Sequence, residues 1–234
     1  VTALRSLAFN LFFLVFSLLL AIAYLPLLAL PRRFLWAGAR FWIRGLYAAL
    51  RLICGLGHRI EGSEHLPRGA GIVAAKHQSA WDTLVFMLIL DAPVMVLKRE
   101  LLWIPFFGWY LRRLDMLAVD RAGGAAALHD LLRQARARVA EGRQIVIFPE
   151  GTRTPPGTRR RYQPGVAALY RELGLPVVPV ALDSGLYWRR RAFTKRPGTI
   201  VLKALPPIPP GLERAAFMRR LQTAIDEESE RLGR

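Results

Sequence analysis

The residue types best suited to chemistry stand in short blocks. The first is Lys76-His77-Gln78-Ser79-Ala80-Trp81-Asp82, with a histidine and an aspartate five positions apart. On one continuous helix that separation turns the two side chains about 140° away from each other. With His77 on a strand-to-helix turn and Asp82 in the first helical turn, the carboxylate can reach the imidazole. It would then fix the tautomer while the other ring nitrogen takes a proton from an attacking hydroxyl, the logic of a hydrolase triad without its serine. The plainer alternative is a solvated turn histidine with Asp82 as a helix cap. Ser79 lies close enough to be considered as a nucleophile, but nothing resembling a nucleophile elbow surrounds it.

A second block, Phe148-Pro149-Glu150-Gly151-Thr152-Arg153-Thr154, follows an apolar run. Proline ends a strand ladder and glycine lets the chain turn tightly. Arg153 offers a planar fork that matches a phosphate, with Thr152 and Thr154 adding hydroxyl donors. Glu150 would repel a phosphate, so its expected task is to orient Arg153 or a neighbouring cation. A polar turn with a solvated arginine is the alternative. Two further cations end candidate strands: Arg121, in Val119-Asp120-Arg121, as a second phosphate contact, and Lys98, ahead of the apolar run 101–109. Lys98 could stabilise an oxyanion or be a plain surface cation. One histidine with two distant carboxylates makes a poor metal signature, so no metal is expected.

The elements that must position these blocks are legible in the texture of the chain. After Gly57, short apolar runs alternate with helical patterns, which predicts an α/β domain. Strands are expected at 58–61, 71–75, 93–97, 116–120, 144–148, 177–181 and 199–205, forming one sheet. Residues 81–90 suit a buried helix. Leu128, Leu131, Leu132, Ala135 and Val139 recur at helical spacing, and 213–232 reads as a packing helix after a stiff connector of prolines 206, 207, 209 and 210.

Residues 1–57 read differently. Residues 1–60 hold seven arginines and no acidic side chain, in a chain of net charge +17. The run 7–30 carries no charge and would reach about 36 Å as a helix, enough to cross a bilayer. In the stretch 35–56, Arg40, Arg44 and Arg51 fall on one side of a helical wheel with Arg33, as in an interfacial helix whose arginines reach lipid phosphates. A hairpin dipping into one leaflet and a true span both fit, and Ala21-Ile22-Ala23 also resembles a cleavage site after a leader. An anionic membrane surface is therefore the expected partner, and nucleic acid is not. The single cysteine, Cys54, rules out an internal disulfide framework.

In this order, the blocks between residues 58 and 182 resemble the lysophosphatidic acid (1-acylglycerol-3-phosphate) acyltransferase family of glycerolipid acyltransferases. The resemblance rests on His77 to Asp82, on Val119-Asp120-Arg121, on Phe148 to Arg153 and on Val177-Val178-Pro179-Val180; the Phe-Pro-Glu-Gly-Thr-Arg block is the specific one. It implies a mixed, mostly seven-stranded sheet surrounded by helices, residues 58–234; the two-helix membrane anchor ahead of it, residues 1–57, is read from charge and periodicity alone. The resemblance implies His77 as general base with Asp82 as its partner, Glu150, Gly151, Thr152 and Arg153 at the acceptor phosphate with Arg121 assisting, and a role for Lys98 in catalysis. The implied reaction moves an acyl group from acyl-CoA or acyl-carrier protein, a co-substrate rather than a cofactor, onto a lysophospholipid. The implied place is the cytoplasmic face of a bacterial inner membrane. Other lysolipid acceptors, or a non-catalytic basic membrane binder, are the rivals. The chain departs from the family in having Lys76 where many members have asparagine, and in lacking the glycine-rich lead-in to Arg121.

Overall fold

The computed structural model describes residues 1–120 and 122–233. All seven expected strands form: β1 (Leu56–Glu61), β2 (Gly71–Ala75), β3 (Pro93–Lys98), β4 (Leu117–Val119), β5 (Gln144–Ile147), β6 (Val177–Leu182) and β7 (Gly198–Ala204). They make one sheet in the order β1-β7-β6-β2-β5-β3-β4. Every neighbouring pair is parallel except β6 with β7. The sheet is therefore mixed. β5 stops at Ile147, one residue short of the expected end, because Pro149 cannot continue the ladder.

The central strands are apolar on both faces because helices cover both. Val73, Ala75, Val146 and Val178 join one buried cluster with α2 (Arg32–Cys54) and α3 (Trp81–Ile89). Ile72, Ala74, Ile145 and Val177 join another with α5 (Gly124–Ala140), α6 (Gly165–Leu173) and α7 (Arg214–Leu232), which was preceded in the chain by α4 (Phe107–Arg113) on the first side. Strand alternation then sends Lys76 toward α7 and His77 toward α3.

The N-terminal run is not one helix. α1 (Thr2–Ala23) ends at Tyr24, a short 3₁₀ turn (Leu25–Leu28) begins with Pro26 in its first turn, and α2 starts after Pro31. A helix of 22 residues spans about 33 Å. Its inner face is built into the molecule. Phe9 is fully buried, Phe16 rests on Gly45, and the Trp42 indole donates to Ser17 Oγ at 2.9 Å. Ser6 Oγ accepts the Lys195 N–H at 2.9 Å, and Tyr110 donates to the carbonyl of Ala21 near the far end. The outer face exposes Leu4, Leu11, Leu14, Val15, Leu18, Leu19 and Ile22.

One arginine of the expected lipid-facing stripe does something else. Arg33, Arg44 and Arg51 are exposed, but Arg40 turns inward to the end of α3, donating to the carbonyls of Met87 (3.1 Å), Leu90 (3.2 Å) and Asp91 (2.7 Å). It caps the last turn of the helix that carries Asp82, where free carbonyls favour a cation. The apolar run 101–109 spans a 3₁₀ turn and the start of α4. Arg113, at the end of α4, ties it to the hairpin by donating to the carbonyls of Leu28 (3.0 Å) and Leu30 (2.8 Å). Trp103, Ile104, Phe107 and Trp109 stay exposed.

Candidate active site

β2 delivers the first block to the C-terminal edge of the sheet, where loops of a parallel sheet commonly hold ligands. His77 lies on the turn and Asp82 in the first turn of α3, and His77 Nδ1 is 3.2 Å from Asp82 Oδ2. Asp82 has no exposed surface, and its carboxylate is fully engaged. Oδ2 also accepts the backbone N–H groups of Gln78 (2.6 Å) and Ser79 (2.7 Å), while Oδ1 accepts the hydroxyl of Ser184 (2.5 Å). The imidazole stacks on Phe148 with ring centroids 4.1 Å apart and keeps 12% of its side-chain surface exposed. With Nδ1 on Asp82, Nε2 is the nitrogen left for a substrate.

The second block wraps the first. Gly151 takes φ +71°, a left-handed conformation that glycine adopts freely, and its N–H bonds the carbonyl of Phe148 at 2.9 Å. The turn brings Glu150 and Thr154 under His77. Glu150 Oε2 accepts the His77 backbone N–H at 2.9 Å, and the Thr154 N–H donates to the His77 carbonyl at 2.8 Å. Glu150 Oε1 takes the Thr154 hydroxyl at 2.6 Å and the Lys76 ammonium at 2.7 Å. Glu150 thus orients a neighbouring cation, Lys76, and the backbone of His77, rather than Arg153. Thr154, expected to offer its hydroxyl to a phosphate, spends it on this turn.

Arg153 is half-buried, and among the described residues it makes no ion pair. Burial pulls its pKa down, Asp82 pulls the other way, and Arg190 adds to the lowering. Arg190 donates to the Arg153 backbone carbonyl at 3.4 Å, so a second cation is held on the same turn. Two guanidiniums with no ion pair among the described residues, one of them within electrostatic reach of Asp82, suit an anionic ligand. Gly151 and Thr152 are partly exposed on the same turn. Lys98 ends β3, exposed and two strands from β2, a backbone separation of about 9–10 Å, so the fold sets it on the same edge without joining it to His77. Arg121 lies outside the described residues.

Three buried partners were not read from the sequence. Ser184 comes from the turn after β6, Asp226 from α7, and Gln78 seats Ser184's loop by accepting the Gly185 N–H at 2.9 Å. The only signal for Ser184 was its place directly after a strand neighbouring β2. Burial pushes the Asp183 carboxyl up to about 6, although its Oδ1 accepts the Val201 N–H at 2.8 Å.

Residues 57–183 match the protein family described as Acyltransferase. The 1-acyl-sn-glycerol-3-phosphate acyltransferase of Pseudomonas aeruginosa is 38% identical over 159 residues, which cover 68% of this chain and 62% of that protein. The protein of that name from Limnanthes douglasii is 33% identical over 158 residues, covering 67% of this chain and 56% of that protein. The chain therefore matches less than two thirds of these relatives' own length. The crystal structure of the 1-acyl-sn-glycerophosphate (LPA) acyltransferase, PlsC, from Thermotoga maritima superimposes with a TM-score of 0.80 at 23% identity, covering 99% of this chain and 98% of that one. The superposition shares the fold, and the matched stretch, more than half of the chain and containing both blocks, carries the conclusion: this chain belongs to the acyltransferase family.

Proposed function

We propose that this chain transfers a fatty acyl group from a thioester to the free sn-2 hydroxyl of 1-acylglycerol-3-phosphate, giving phosphatidic acid. The observation that carries the reading is a held imidazole on a turn interlocked with that of an arginine making no ion pair among the described residues: Asp82 fixes His77 through Nδ1, and Glu150 and Thr154, flanking Arg153, bond the His77 backbone. The names of the relatives at 38% and 33% identity support the acceptor.

His77 Nε2 takes the proton of the acceptor hydroxyl as its oxygen attacks the thioester carbonyl. Asp82 holds the ring and stabilises the imidazolium. When the carbon–sulfur bond breaks, the thiolate leaves and takes the proton back from Nε2, so no acyl-enzyme forms. General-base catalysis of this kind contributes about 10² to 10⁴ in rate, and holding the two substrates together supplies much of the rest. Arg153 binds the acceptor phosphate, with Gly151 and Thr152 shaping the turn around it, Lys98 stabilises the oxyanion of the attacked carbonyl, and Arg121, by the family resemblance, assists at the phosphate. The donor is acyl-CoA or acyl-carrier protein. The exposed apolar face of α1 and the exposed arginines of α2 seat the protein on an anionic membrane, on the cytoplasmic face, within reach of a cytosolic thioester donor.

Steady-state kinetics on two variants test the assignment. His77→Ala abolishes transfer while lysophosphatidic acid still binds, and Arg153→Ala raises KM for the phosphorylated acceptor with little change for the donor. Normal turnover in His77→Ala, or an Arg153→Ala effect confined to the donor, contradicts the reading.

A further inference from the structure

Behind the catalytic turn, on the opposite face of the sheet, lies a buried ionic cluster that the reaction does not use. The Lys76 ammonium lies 2.7 Å from Glu150 Oε1 and 2.8 Å from Asp226 Oδ1, and donates to the carbonyl of Thr158 at 3.3 Å. Three acceptors match the three protons an ammonium can donate. The side chains of Lys76, Glu150 and Asp226 are 4%, 0% and 3% exposed. Asp226 is held in turn by the Tyr162 hydroxyl at 3.3 Å and by the Gln222 side-chain amide at 3.3 Å.

Such a cluster is a costly way to stabilise a fold, because each ion must leave water and an apolar replacement often serves as well. Its geometry offers another reason for it. Lys76 immediately precedes His77, and the carboxylate it grips is the one that accepts the His77 backbone N–H through its other oxygen. A continuous path of charged contacts therefore runs from α7 to the peptide that carries the imidazole. Burial works against the charge on Lys76, but Glu150 and Asp226 more than offset it and hold its pKa above the usual lysine value. The ammonium is thus a permanent part of the path. Asp226 lies beyond residue 183, where the family match ends.

We infer that Lys76 and Asp226 are positioning residues for the acyl transfer: Asp226 holds Lys76, Lys76 fixes Glu150, and Glu150 fixes the backbone of His77, so that the terminal helix sets where the base stands. The inference rests on the reading of His77 as that base. In the protein, the residue before the histidine is then part of the machinery, and the C-terminal helix is more than a cover for the sheet.

The test is the kinetics of Asp226→Asn in the full chain, purified in detergent, with lysophosphatidic acid and an acyl-CoA as substrates and free thiol as the readout. Small displacements of a catalytic group cost rate rather than binding, so kcat should fall about tenfold or more while both KM values stay within about twofold. Asp226→Glu, which keeps the charge, should restore part of kcat. A lower melting temperature with wild-type kcat would mean that the cluster only stabilises the fold, and would overturn the inference. If Asp226→Asn does not fold, Asp226→Glu decides alone, since its longer arm shifts Lys76: reduced kcat at unchanged KM supports the inference and wild-type kcat overturns it. His77→Ala separates the two readings. Full transfer by that variant removes the base itself, whereas an inactive His77→Ala beside a wild-type Asp226→Asn removes only the positioning path.

Discussion

Asp82 accepts from four groups drawn from two distant stretches of chain: the ring and two backbone N–H groups of its own turn, and the hydroxyl of Ser184. That arrangement makes it a fixed support for the imidazole rather than a mobile base. The adjacent Asp183 is buried without such a set of donors, and its raised pKa has a consequence for stability. A folded-state value of about 6, above the ordinary aspartate range, means that the folded protein holds the proton more tightly than the unfolded chain. The associated stability is present below about pH 4 and is lost as pH rises to about 6, on the order of 3 kcal/mol in all. Asp183→Asn should therefore gain stability relative to the parent between pH 4 and 7 by roughly that amount, measured by denaturant unfolding; parallel curves would contradict it. His77 and Asp82 were legible because they stand only five positions apart, and Arg153 because its block is compact. Ser184 is 102 residues from Asp82, and Asp226 is 150 from Lys76. No local pattern can announce partners that only the strand order brings together.

The strands were readable because parallel strands covered on both faces must be short apolar runs, as 72–75 and 145–147 are. Strand order was not readable, and it is what places the turn after β5 against the turn after β2 and the turn after β6 beside both. Two helices, α4 and α6, also escaped, α4 because its seven residues show too little periodicity to separate from the apolar run before it. The arginines of α2 illustrate the limit of a helical wheel. The wheel sets Arg40 among the lipid-facing cations, but tertiary packing gives it the carbonyls at the end of α3. Hydrogen bonds from a charged donor contribute more than neutral ones, so Arg40→Ala should cost about 2 kcal/mol of stability. Arg44→Ala, at an exposed position of the same helix, should stay within about 0.5 kcal/mol. Equal effects in chemical denaturation would show that Arg40 is no cap.

At the scale of the whole molecule, an apolar helix lies along a basic α/β body. α1 is the one helix among the described residues long and apolar enough to cross a membrane. It is nevertheless tied to the body by Ser6 and Phe9 near one end and Ala21 near the other, leaving a stripe of leucines outward. Trp103, Ile104, Phe107 and Trp109 add exposed apolar surface on the segment that α4 ties to the hairpin. With a net charge of +17, the protein should bind anionic vesicles and release them as salt rises only in part, because apolar burial persists where charge attraction is screened. Replacing Leu11 and Leu18 by glutamate should abolish co-sedimentation with such vesicles without lowering turnover of substrate in detergent. Retained sedimentation would place the contact elsewhere.

The proposed reaction moves the acyl group of a thioester onto a lysophospholipid hydroxyl and releases the thiol. The most direct measurement offers the purified protein in detergent a panel of lysolipids with acyl-CoA and with acyl-carrier protein, following free thiol and the acylated product together. The account predicts thiol release matched one for one by phosphatidic acid, with lysophosphatidic acid the preferred acceptor over uncharged and zwitterionic lysolipids. Thiol release without acylated lipid, or no release with any acceptor and either donor, would contradict it.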